Sequence, residues 1–505
     1  MKCYQGSENI ISNIMKTETI TIVGGGTSAW LAAAFLYRNH PDIKITVVDK
    51  EVGNSIGVGE ATLLSFELFM AECGFPVEDW IVELRAGYKT GIMFTNWREP
   101  GDDIWHPFFK GNRKIDKDFH LWDIWSLVQD MDFKTYATGS YSSAVLNNTV
   151  DPNRTDVAFH INCGKLVLYI QEKLKDKIRI IKSEVVGVVK SYEENIDHLK
   201  LINGDVIKSD LYIDCTGFHS VLRKSTKKVD LKDRLFVNTA VVCQVPYKDR
   251  AEEFKPYAVC DAVEHGWIWK IGVADRIGSG MVFNRHITNI EEAKEYFVNY
   301  WQDRIAKENV RAINWDPFYN TDPWVGNVVQ IGLSNGFIEP LESTGVGLIT
   351  AGVTQLSNAL FEQWTTQNDK DFFNTFMKSL FEDCVSFVSM HYANNNRTGE
   401  FWNHVRDTFV PSERMMIYLD RLENPNIKVP VDSKYNYMFG GSSWSMLLQQ
   451  LGYEIAPRNI PYSADYARDL LVKTYIDHEK HRHVWSRHHS SEIDRLIDLH
   501  KWLKK

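Results

Sequence analysis

The hydrophobic pattern near the start of the chain predicts a strand, a helix and a second strand in succession. Residues 17–23 alternate between polar and apolar positions and end in an apolar run, as a buried parallel strand does. Residues 30–37 are good helix formers, and residues 43–48 form another apolar run that ends at Asp49. Such a unit indicates a parallel sheet with helices packed on it.

Further along the chain the period of the pattern changes. Trp80, Leu84 and Tyr88 are spaced four residues apart and predict a helix over residues 79–89. Short alternating segments between residues 235 and 283 predict an antiparallel sheet. After Gly347 the pattern is helical to the end, with interruptions at several prolines.

Composition and charge exclude several classes of protein. The net charge of -9 and the lack of a basic tract argue against nucleic-acid binding. No apolar run approaches the ~18 residues of a membrane span, and residues 1–16 lack the apolar core of a secretory signal. The seven cysteines are scattered, so neither a disulfide framework nor a zinc site is indicated. We expect a soluble cytoplasmic protein.

The turn after the first strand carries a dinucleotide-binding pattern. Gly24-x-Gly26-x-x-Ala29 joins strand to helix, and Asp49 closes the next strand 25 residues after Gly24. The first glycine permits the tight turn, the second lets the backbone approach a pyrophosphate, and a small third residue allows close packing. Thr27 and Ser28, also expected to contact the cofactor, lie in the turn before the helix. The N-terminus of that helix attracts the phosphates, and Asp49 is expected to bind a ribose.

Two later strands favour FAD over a nicotinamide cofactor. One apolar strand ends in Thr216-Gly217, and another, over residues 327–333, leads into Phe337 to Gly345. This order resembles the aromatic-hydroxylase type of flavoprotein, and no second G-x-G-x-x-G marks a separate NAD(P)H site.

Several further segments together resemble the flavin-dependent tryptophan halogenases. They are the strap Ile56-Gly57-Val58-Gly59-Glu60-Ala61-Thr62, Lys89 before Phe94-Thr95-Asn96-Trp97, Gly266-Trp267-Ile268-Trp269-Lys270-Ile271, Phe337-Ile338-Glu339-Pro340-Leu341-Glu342-Ser343-Thr344-Gly345, and His391-Tyr392 with Arg397 and Phe401-Trp402. These anchors extend from residue 24 to about residue 402. One departure is Gly272, which replaces the proline of the family's W-x-W-x-I-P pattern. We expect this glycine to loosen its strand and to leave a more open substrate site.

The resemblance implies a fold and an arrangement of parts. The fold class is α/β (α+β), a Rossmann-like, FAD-binding fold of the aromatic-hydroxylase type with an inserted antiparallel sheet and a helical C-terminal region. The expected parts are a disordered lead-in (1–16), a discontinuous FAD-binding part (17–230), an inserted substrate-side sheet (231–320), a return to the FAD and halide site (321–350), and a helical substrate region (351–505).

The resemblance also implies chemistry. Reduced FAD and oxygen oxidise a halide to hypohalous acid, which passes to Lys89; this lysine hydrogen-bonds it or forms a haloamine. A small electron-rich aromatic substrate, of indole or phenol type, then attacks the halogen, while Glu342, with Ser343 beside it, stabilises the cation and removes its proton. Backbone N–H groups of Thr344 and Gly345 hold the halide. The expected substrate pocket contains Trp267, Trp269, Phe337 and Pro340, and the flavin contacts include Gly57, Gly59, Glu60 and Ala61.

Each of these residues also has an ordinary structural explanation. Lys89 at a helix C-terminus would complement the helix dipole, and Glu339 competes with Glu342 for the role of base. Trp267 and Trp269 share one face of a strand, where core packing is as common as a pocket wall. The histidines near the C-terminus match no metal-ligand spacing and predict a solvated helix face; they are His478, His481, His483, His488 and His489.

The alternatives differ in what they do with the flavin. The nearest is an FAD-dependent aromatic monooxygenase, which needs neither Lys89 nor the pattern from Phe337 to Gly345. A non-catalytic flavin-binding protein belongs to another class, and turnover with reduced FAD would exclude it. As a halogenase the protein requires a separate flavin reductase as a partner. Association into a homo-oligomer stays open.

Overall fold

The computed structural model describes residues 15–50, 60–108, 121–131, 136, 147–151, 157–191, 194–224, 227–361, 363–426, 438–485 and 487–503. Its strands are β1 Met15–Lys16, β2 Thr19–Val23, β3 Lys44–Asp49, β4 Glu60–Ala61, β5 Gly87–Lys89, β6 Gly91–Thr95, β7 Ile104–Pro107, β8 Thr149–Val150, β9 Ala158–Ile161, β10 Arg179–Lys182, β11 Val185–Lys190, β12 Ile196–Leu201, β13 Val206–Ile207, β14 Leu211–Asp214, β15 Lys228–Asp230, β16 Thr239–Val245, β17 Ala258–Val263, β18 Gly266–Val273, β19 Arg276–Phe283, β20 Arg311–Asn314, β21 Phe318–Asn320, β22 Trp324–Val325, β23 Val328–Gln330, β24 Gly336–Phe337, β25 Trp364–Thr365 and β26 Arg487–His488.

The α-helices are α1 Thr27–Asn39, α2 Ser65–Glu72, α3 Val77–Glu83, α4 Leu121–Trp125, α5 Cys163–Leu174, α6 Arg250–Glu253, α7 Ile290–Trp301, α8 Thr344–Ala359, α9 Gln367–Met390, α10 Glu400–Thr408, α11 Glu413–Glu423, α12 Gly441–Gln450, α13 Ala464–Trp485 and α14 His489–Leu503. Short 3₁₀ turns include Gly217–His219, Gly332–Ser334 and Leu341–Ser343. None of the described helices has the length and the apolar character needed to cross a membrane.

A mainly parallel sheet forms the centre of the first layer. Its strand order is β10-β3-β2-β14-β23-β22, and every neighbouring pair is parallel except β22 with β23. Helix α1 packs its apolar residues, among them Trp30 and Leu31, into the core that Ile20 and Ile22 share. The α/β fold with a Rossmann-like arrangement, predicted from the apolar runs, is confirmed.

A second, larger sheet is antiparallel for most of its width. Its order is β20-β16-β19-β18-β17-β6-β7, and only β17 with β6 is parallel. The sequence pattern predicted this sheet from residues 235–283. It did not show that β6 and β7, which come much earlier in the chain, extend the same sheet beside β17.

The helix predicted over residues 79–89 is wrong in its second half. Helix α3 ends at Glu83, Arg85 takes a left-handed conformation with φ 54°, and Gly87 to Lys89 form strand β5. Strand β5 pairs antiparallel with β9, so a partner about 70 residues away in sequence overrides the local helical spacing. Lys89 therefore lies on a strand, and a role at a helix C-terminus is ruled out.

The C-terminal half is mostly helical, as the pattern after Gly347 predicts. The long helix α9 begins with a capping box, in which Thr366 and Asp369 exchange side-chain and backbone hydrogen bonds. At the other end of the chain, Met15–Lys16 pair antiparallel with Trp364–Thr365. These two residues are ordered in a strand, which corrects the expectation that the lead-in extends to residue 16.

Candidate active site

The chain turns sharply between β2 and α1, and glycine is required at this turn. Gly24 has φ 131°, and a Cβ on it would lie 2.3 Å from the carbonyl oxygen of Cys215. A Cβ on Gly25 would lie 1.9 Å from Oδ2 of Asp49, whereas the side-chain direction of Gly26 is open. The bare backbone allows a phosphate to approach closely.

Helix α1 begins at this turn with an uncompensated N-terminus. Its N-cap is Gly26, and its first turn contains no acidic residue. Thr27 and Ser28 line the adjacent cavity, while Ala29 is fully buried in the core. The unpaired N–H groups and the positive end of the helix dipole thus lie where they stabilise an anion.

A cavity of about 830 Å³ extends from the glycine turn to the start of α8. Asp49, Thr216 and Gly217 line it at the carboxyl ends of β3 and β14, the edge of a parallel sheet at which dinucleotides bind. The volume falls within the usual range for cofactor sites. The residues present therefore fit FAD.

The described end of the strap, which forms β4, contributes to the same cavity. Glu60 and Ala61 line it, and Oε2 of Glu60 accepts a hydrogen bond from the backbone N–H of Cys163 at 3.2 Å. Burial raises the pKa of the Glu60 carboxyl. Gly57 and Gly59, also predicted to contact the flavin, lie outside the described residues.

Lys89 is fully buried beside the far part of this cavity. Its ammonium nitrogen Nζ donates to Oγ of Ser343 at 2.9 Å and to the carbonyl oxygen of Thr62 at 3.2 Å. The ring of Phe108 lies 4.6 Å from Nζ. Burial lowers the pKa of Lys89 to about 7, although the nearby Glu342 carboxylate opposes the shift. The lysine is thus held in a dry place with a neutral form accessible near physiological pH.

Glu342 accepts hydrogen bonds from two histidines that are distant in sequence. Nδ1 of His106 lies 2.9 Å from its Oε1, and Nε2 of His391 lies 2.8 Å from the same oxygen. Nδ1 of His391 lies 2.9 Å from the carbonyl oxygen of Phe387, so this ring is fixed by a hydrogen bond at each of its nitrogens. Burial alone would raise the pKa of Glu342, but the two histidines hold it well below its usual range.

The backbone is strained where Glu342 and Ser343 meet. Both residues have left-handed conformations, with φ 61° and 59°, which cost non-glycine residues roughly 1–2 kcal/mol each. This turn directs Glu342 towards the histidines and Ser343 towards Lys89. Strain of this kind commonly marks a functional site.

Glu339 has surroundings opposite to those of Glu342. It lines the cavity and is 1% exposed, and its Oε1 accepts a hydrogen bond from the hydroxyl of Tyr392 at 2.8 Å. Burial raises the pKa of Glu339 to about 8, and the Tyr392 hydrogen bond only partly opposes this. Of the two carboxyls that the sequence left in competition, Glu342 is the charged one near neutral pH.

Helix α8 points its N-terminus at the cavity. Thr344 and Gly345 are its first two residues and both line the cavity; the N-cap, Ser343, makes no side-chain capping bond. A Cβ on Gly345 would have nothing within 4 Å. The first-turn N–H groups of such a helix are available to a halide ion.

The two tryptophans of β18 differ in their roles. Trp269 lines the cavity together with Phe337 and Pro340. Trp267 is fully buried, and its Nε1 donates to the hydroxyl of Tyr392 at 3.0 Å. Trp267 therefore supports the residue that holds Glu339, and it is absent from the wall of this cavity.

Gly272 lies in a regular part of β18. It pairs in register with Ile277, and a Cβ on it would lie 2.9 Å from the ring of Phe254 and 3.0 Å from the hydroxyl oxygen of Tyr247. The strand stays regular, and the space beside the glycine is taken by Phe254. The expected loosening of the strand is therefore wrong.

Sequence reasoning missed several residues that complete this cluster. His106 lies on β7 and Phe108 follows it, and neither belongs to a motif identified in the sequence. Thr62 follows β4 and ends the strap, but sequence reasoning assigned it no role. His391 was matched to the family without a role. The rings of Phe108, Phe387 and Phe439 lie around His106, at centroid distances of 5.9, 5.6 and 6.4 Å. The sequence offers one signal for this segment, which is a histidine among aromatic residues in Trp105-His106-Pro107-Phe108.

Comparison with known proteins agrees with this geometry. Residues 19–468 match the family described as tryptophan halogenase. The tryptophan 6-halogenase ThaL of Streptomyces albogriseolus is 29% identical over 417 residues, which cover 77% of this chain and 78% of that protein. The tryptophan 7-halogenase RebH of Lentzea aerocolonigenes is 29% identical over 421 residues, covering 77% and 78% of the two chains. The crystal structure of the tryptophan 6-halogenase SttH from Streptomyces toxytricini superposes with a TM-score of 0.85 at 25% identity, over 95% of this chain and all of that one.

A Rossmann-like fold with a cavity of the dinucleotide type, beside which lie a buried lysine and a charged glutamate, is typical of a flavoprotein. The chain belongs to the tryptophan halogenase family. It is a flavin-dependent halogenase, an enzyme that depends on a separate flavin reductase.

Proposed function

We propose that this halogenase uses chloride, bromide or iodide to halogenate a small electron-rich aromatic substrate, of indole or phenol type, at Lys89. One observation carries the proposal. Nζ of Lys89 lies 2.9 Å from Oγ of Ser343, and the preceding residue, Glu342, is a buried carboxylate. Glu342 and Ser343 both line the cavity that begins at the glycine turn.

The cofactor is reduced FAD, held by the turn from Gly24 to Gly26, the start of α1 and Asp49. When bound, it supplies the activation of oxygen that oxidises the halide to hypohalous acid. The N–H groups of Thr344 and Gly345, which line the same cavity, would hold the halide, and the surrounding buried side chains exclude water.

Lys89 then receives the halogen. Its neutral amine attacks hypohalous acid, so that an N–halogen bond forms and water leaves; a pKa of about 7 keeps enough of the amine neutral for this step. Ser343 and the carbonyl of Thr62 orient Nζ. The alternative, in which the ammonium only hydrogen-bonds hypohalous acid, predicts the opposite dependence on pH.

Glu342 completes the reaction at the substrate ring. The ring carbon attacks the halogen, the N–halogen bond breaks with its electron pair staying on nitrogen, and the Lys89 nitrogen takes up a proton to become the neutral amine again; the proton that the ring loses to Glu342 balances this one. The Glu342 carboxylate stabilises the cationic ring and takes its proton. His106 and His391 hold that carboxylate in place, and the rings of Trp269 and Phe337, which line the cavity, suit a flat apolar substrate.

Substitution of Lys89 tests the proposal. With a flavin reductase, NADH, FAD and bromide, Lys89→Ala and Lys89→Arg should lose product formation on a panel of phenols and indoles by about 10²-fold or more. Arginine keeps the charge but cannot readily lose its proton. Hypohalous acid should still reach a scavenger dye, and FAD affinity should be unchanged.

Lys270 provides a matched control. It also lies on a strand and has a pKa lowered by burial, but it faces Asp261 at 3.6 Å, outside the cavity. Lys270→Ala should keep product formation. Near-normal product formation by Lys89→Ala would contradict the proposal, and hydroxylated products would favour the aromatic monooxygenase.

A further inference from the structure

The C-terminal segment beyond the family match reaches the strand that carries Lys89. The match ends at residue 468, whereas β26 and α14 cover Arg487 to Leu503. Helix α14 contacts both α3 and β5. His489, its first residue, is fully buried, which corrects the prediction that the C-terminal histidines form a solvated face. The side chains of His478, His481 and His483 lie outside the described residues.

Both ring nitrogens of His489 bind backbone groups. The backbone N–H of Tyr88 donates to Nε2 at 3.0 Å, and Nδ1 lies 3.0 Å from the carbonyl oxygen of Phe254. A carbonyl only accepts, so Nδ1 carries the proton and Nε2 offers its lone pair. Burial lowers the pKa of His489 to about 3, against the Phe254 hydrogen bond, so the ring stays in this neutral form.

Strand β5 needs such a partner because it lies at the edge of its sheet. The order of this small sheet is β4-β9-β5, so β5 pairs with β9 on one side only. On the open side the Tyr88 N–H would have no strand to bind, and His489 takes the place of one. Gly87 completes the contact, since a Cβ on it would lie 2.7 Å from the Phe254 ring and 3.1 Å from Cε1 of His489.

The neighbouring residue of this strand is Lys89. Thr62, which accepts from Nζ, is fastened to β9 by hydrogen bonds between its backbone and side chain and Phe159. Strand β5 is thus held between β9 on one edge and His489 on the other. A sideways shift of β5 would move Nζ away from Thr62 and Ser343.

We propose that His489 is a positioning residue for Lys89: it holds strand β5 through the Tyr88 N–H and so keeps the lysine amine in line between Ser343 and the substrate. The inference rests on the proposed role of Lys89. It assigns a function in the halogenation step to a segment that lies outside the family match.

Substitutions at His489 test this role. His489→Phe keeps a ring but removes the acceptor for Tyr88 and the donor for Phe254. The ratio of halogenated product to hypohalous acid captured by a dye should fall about 10-fold or more, as expected for a catalytic group displaced by less than 1 Å. His489→Gln keeps an acceptor of similar reach and should recover most of the ratio. If His489→Phe does not fold, His489→Met takes its place with the same expectation.

Ile493→Ala is the matched control for loss of packing. Ile493 is buried on the same helix, so its truncation loosens α14 but leaves the imidazole in place. At equal thermal stability, Ile493→Ala should keep the wild-type ratio of halogenated product to captured hypohalous acid.

The pH profile of His489→Phe gives a second test. The acid limb of product formation, set by a Lys89 pKa of about 7, should move to higher pH because the amine is less buried.

The outcomes separate the two proposals. Equal ratios and equal pH profiles in His489→Phe and Ile493→Ala would overturn the positioning role. Product formation by Lys89→Ala would overturn the proposed function itself, whatever the His489 variants do. A lowered ratio in His489→Phe with recovery in His489→Gln supports both.

Discussion

Glu339 and Glu342 lie three residues apart in one short segment and are both 1% exposed, yet their partners give them different charges. Two histidines hold Glu342 ionised, whereas Glu339 has one tyrosine hydroxyl and a pKa raised by burial to about 8. A buried carboxyl without a cationic partner prefers its neutral form. The two side chains therefore suit different tasks.

Replacement of each glutamate by glutamine should show which of the two carboxyl groups the reaction needs in its charged form. Glu342→Gln removes a charge that the cationic ring needs, and product formation should fall by about 10²-fold. Glu339→Gln resembles the neutral acid already present at pH 7, so its effect should be small there and grow as the pH rises past about 8. Steady-state product formation between pH 6 and 9 measures both, with FAD affinity as the control. Equal losses in the two variants at pH 7 would contradict the assignment.

The lowered pKa of Lys89 should also make the free energy of unfolding depend on pH. Burial lowers its pKa from 10.5 to about 7, so between these values the unfolded chain binds a proton that the folded chain does not. Stability due to this residue therefore rises with pH through that window, and below pH 7 the full cost of burying the charge remains. Relative to wild type, Lys89→Met should be more stable at pH 6.5, by about 5 kcal/mol at most.

Urea unfolding at pH 6.5 and at pH 10 measures this difference. The advantage of Lys89→Met should shrink at the higher pH. Lys232→Met, at a side chain that is 70% exposed, should show no such trend. An advantage that is independent of pH would show that the substitution acts through packing alone.

Among the structural elements, the glycine turn before α1 shows how closely the backbone is shaped for its ligand. Gly25→Ala would place a methyl group 1.9 Å from the Asp49 carboxylate, so either the turn or β3 must move. We expect FAD binding, followed by fluorescence quenching, to be lost, with a loss of stability of a few kcal/mol. Gly352→Ala on α8 meets only Met377 at 3.5 Å and should bind FAD normally. Normal FAD affinity in Gly25→Ala would remove the turn from the flavin site.

The chain also turns between α3 and β5, but there no local feature of the sequence requires the helix to end. Trp80, Leu84 and Tyr88 have helical spacing, and the residues around them are compatible with a helix. The chain instead leaves the helix at Arg85 so that β5 can pair with β9 and bind His489. Local propensity is worth tenths of a kcal/mol per residue, roughly, and tertiary pairing outweighs it.

For the whole molecule, we predict that reducing equivalents arrive from outside, because the sequence contains one G-x-G-x-x-A pattern and no second one for NAD(P)H. The purified protein alone should not oxidise NADH, and halogenation should begin when a reductase or chemically reduced FAD is added. NADH consumption in the presence and absence of phenols or indoles measures this. Rapid consumption by the protein alone, stimulated by the aromatic compound, would favour a monooxygenase.

The sequence by itself determined the α/β fold, the glycine turn and the segment from Phe337 to Gly345, because these depend on local period, on glycine geometry and on short contiguous patterns. It could not show that His106, His391 and Glu342 form one hydrogen-bonded cluster, that Lys89 lies on an edge strand, or that His489 binds that strand. These contacts join residues separated by 49 to 401 positions. Only tertiary packing brings them together, and burial then decides which groups are charged, since the cost of desolvation depends on the neighbours that the folded chain supplies.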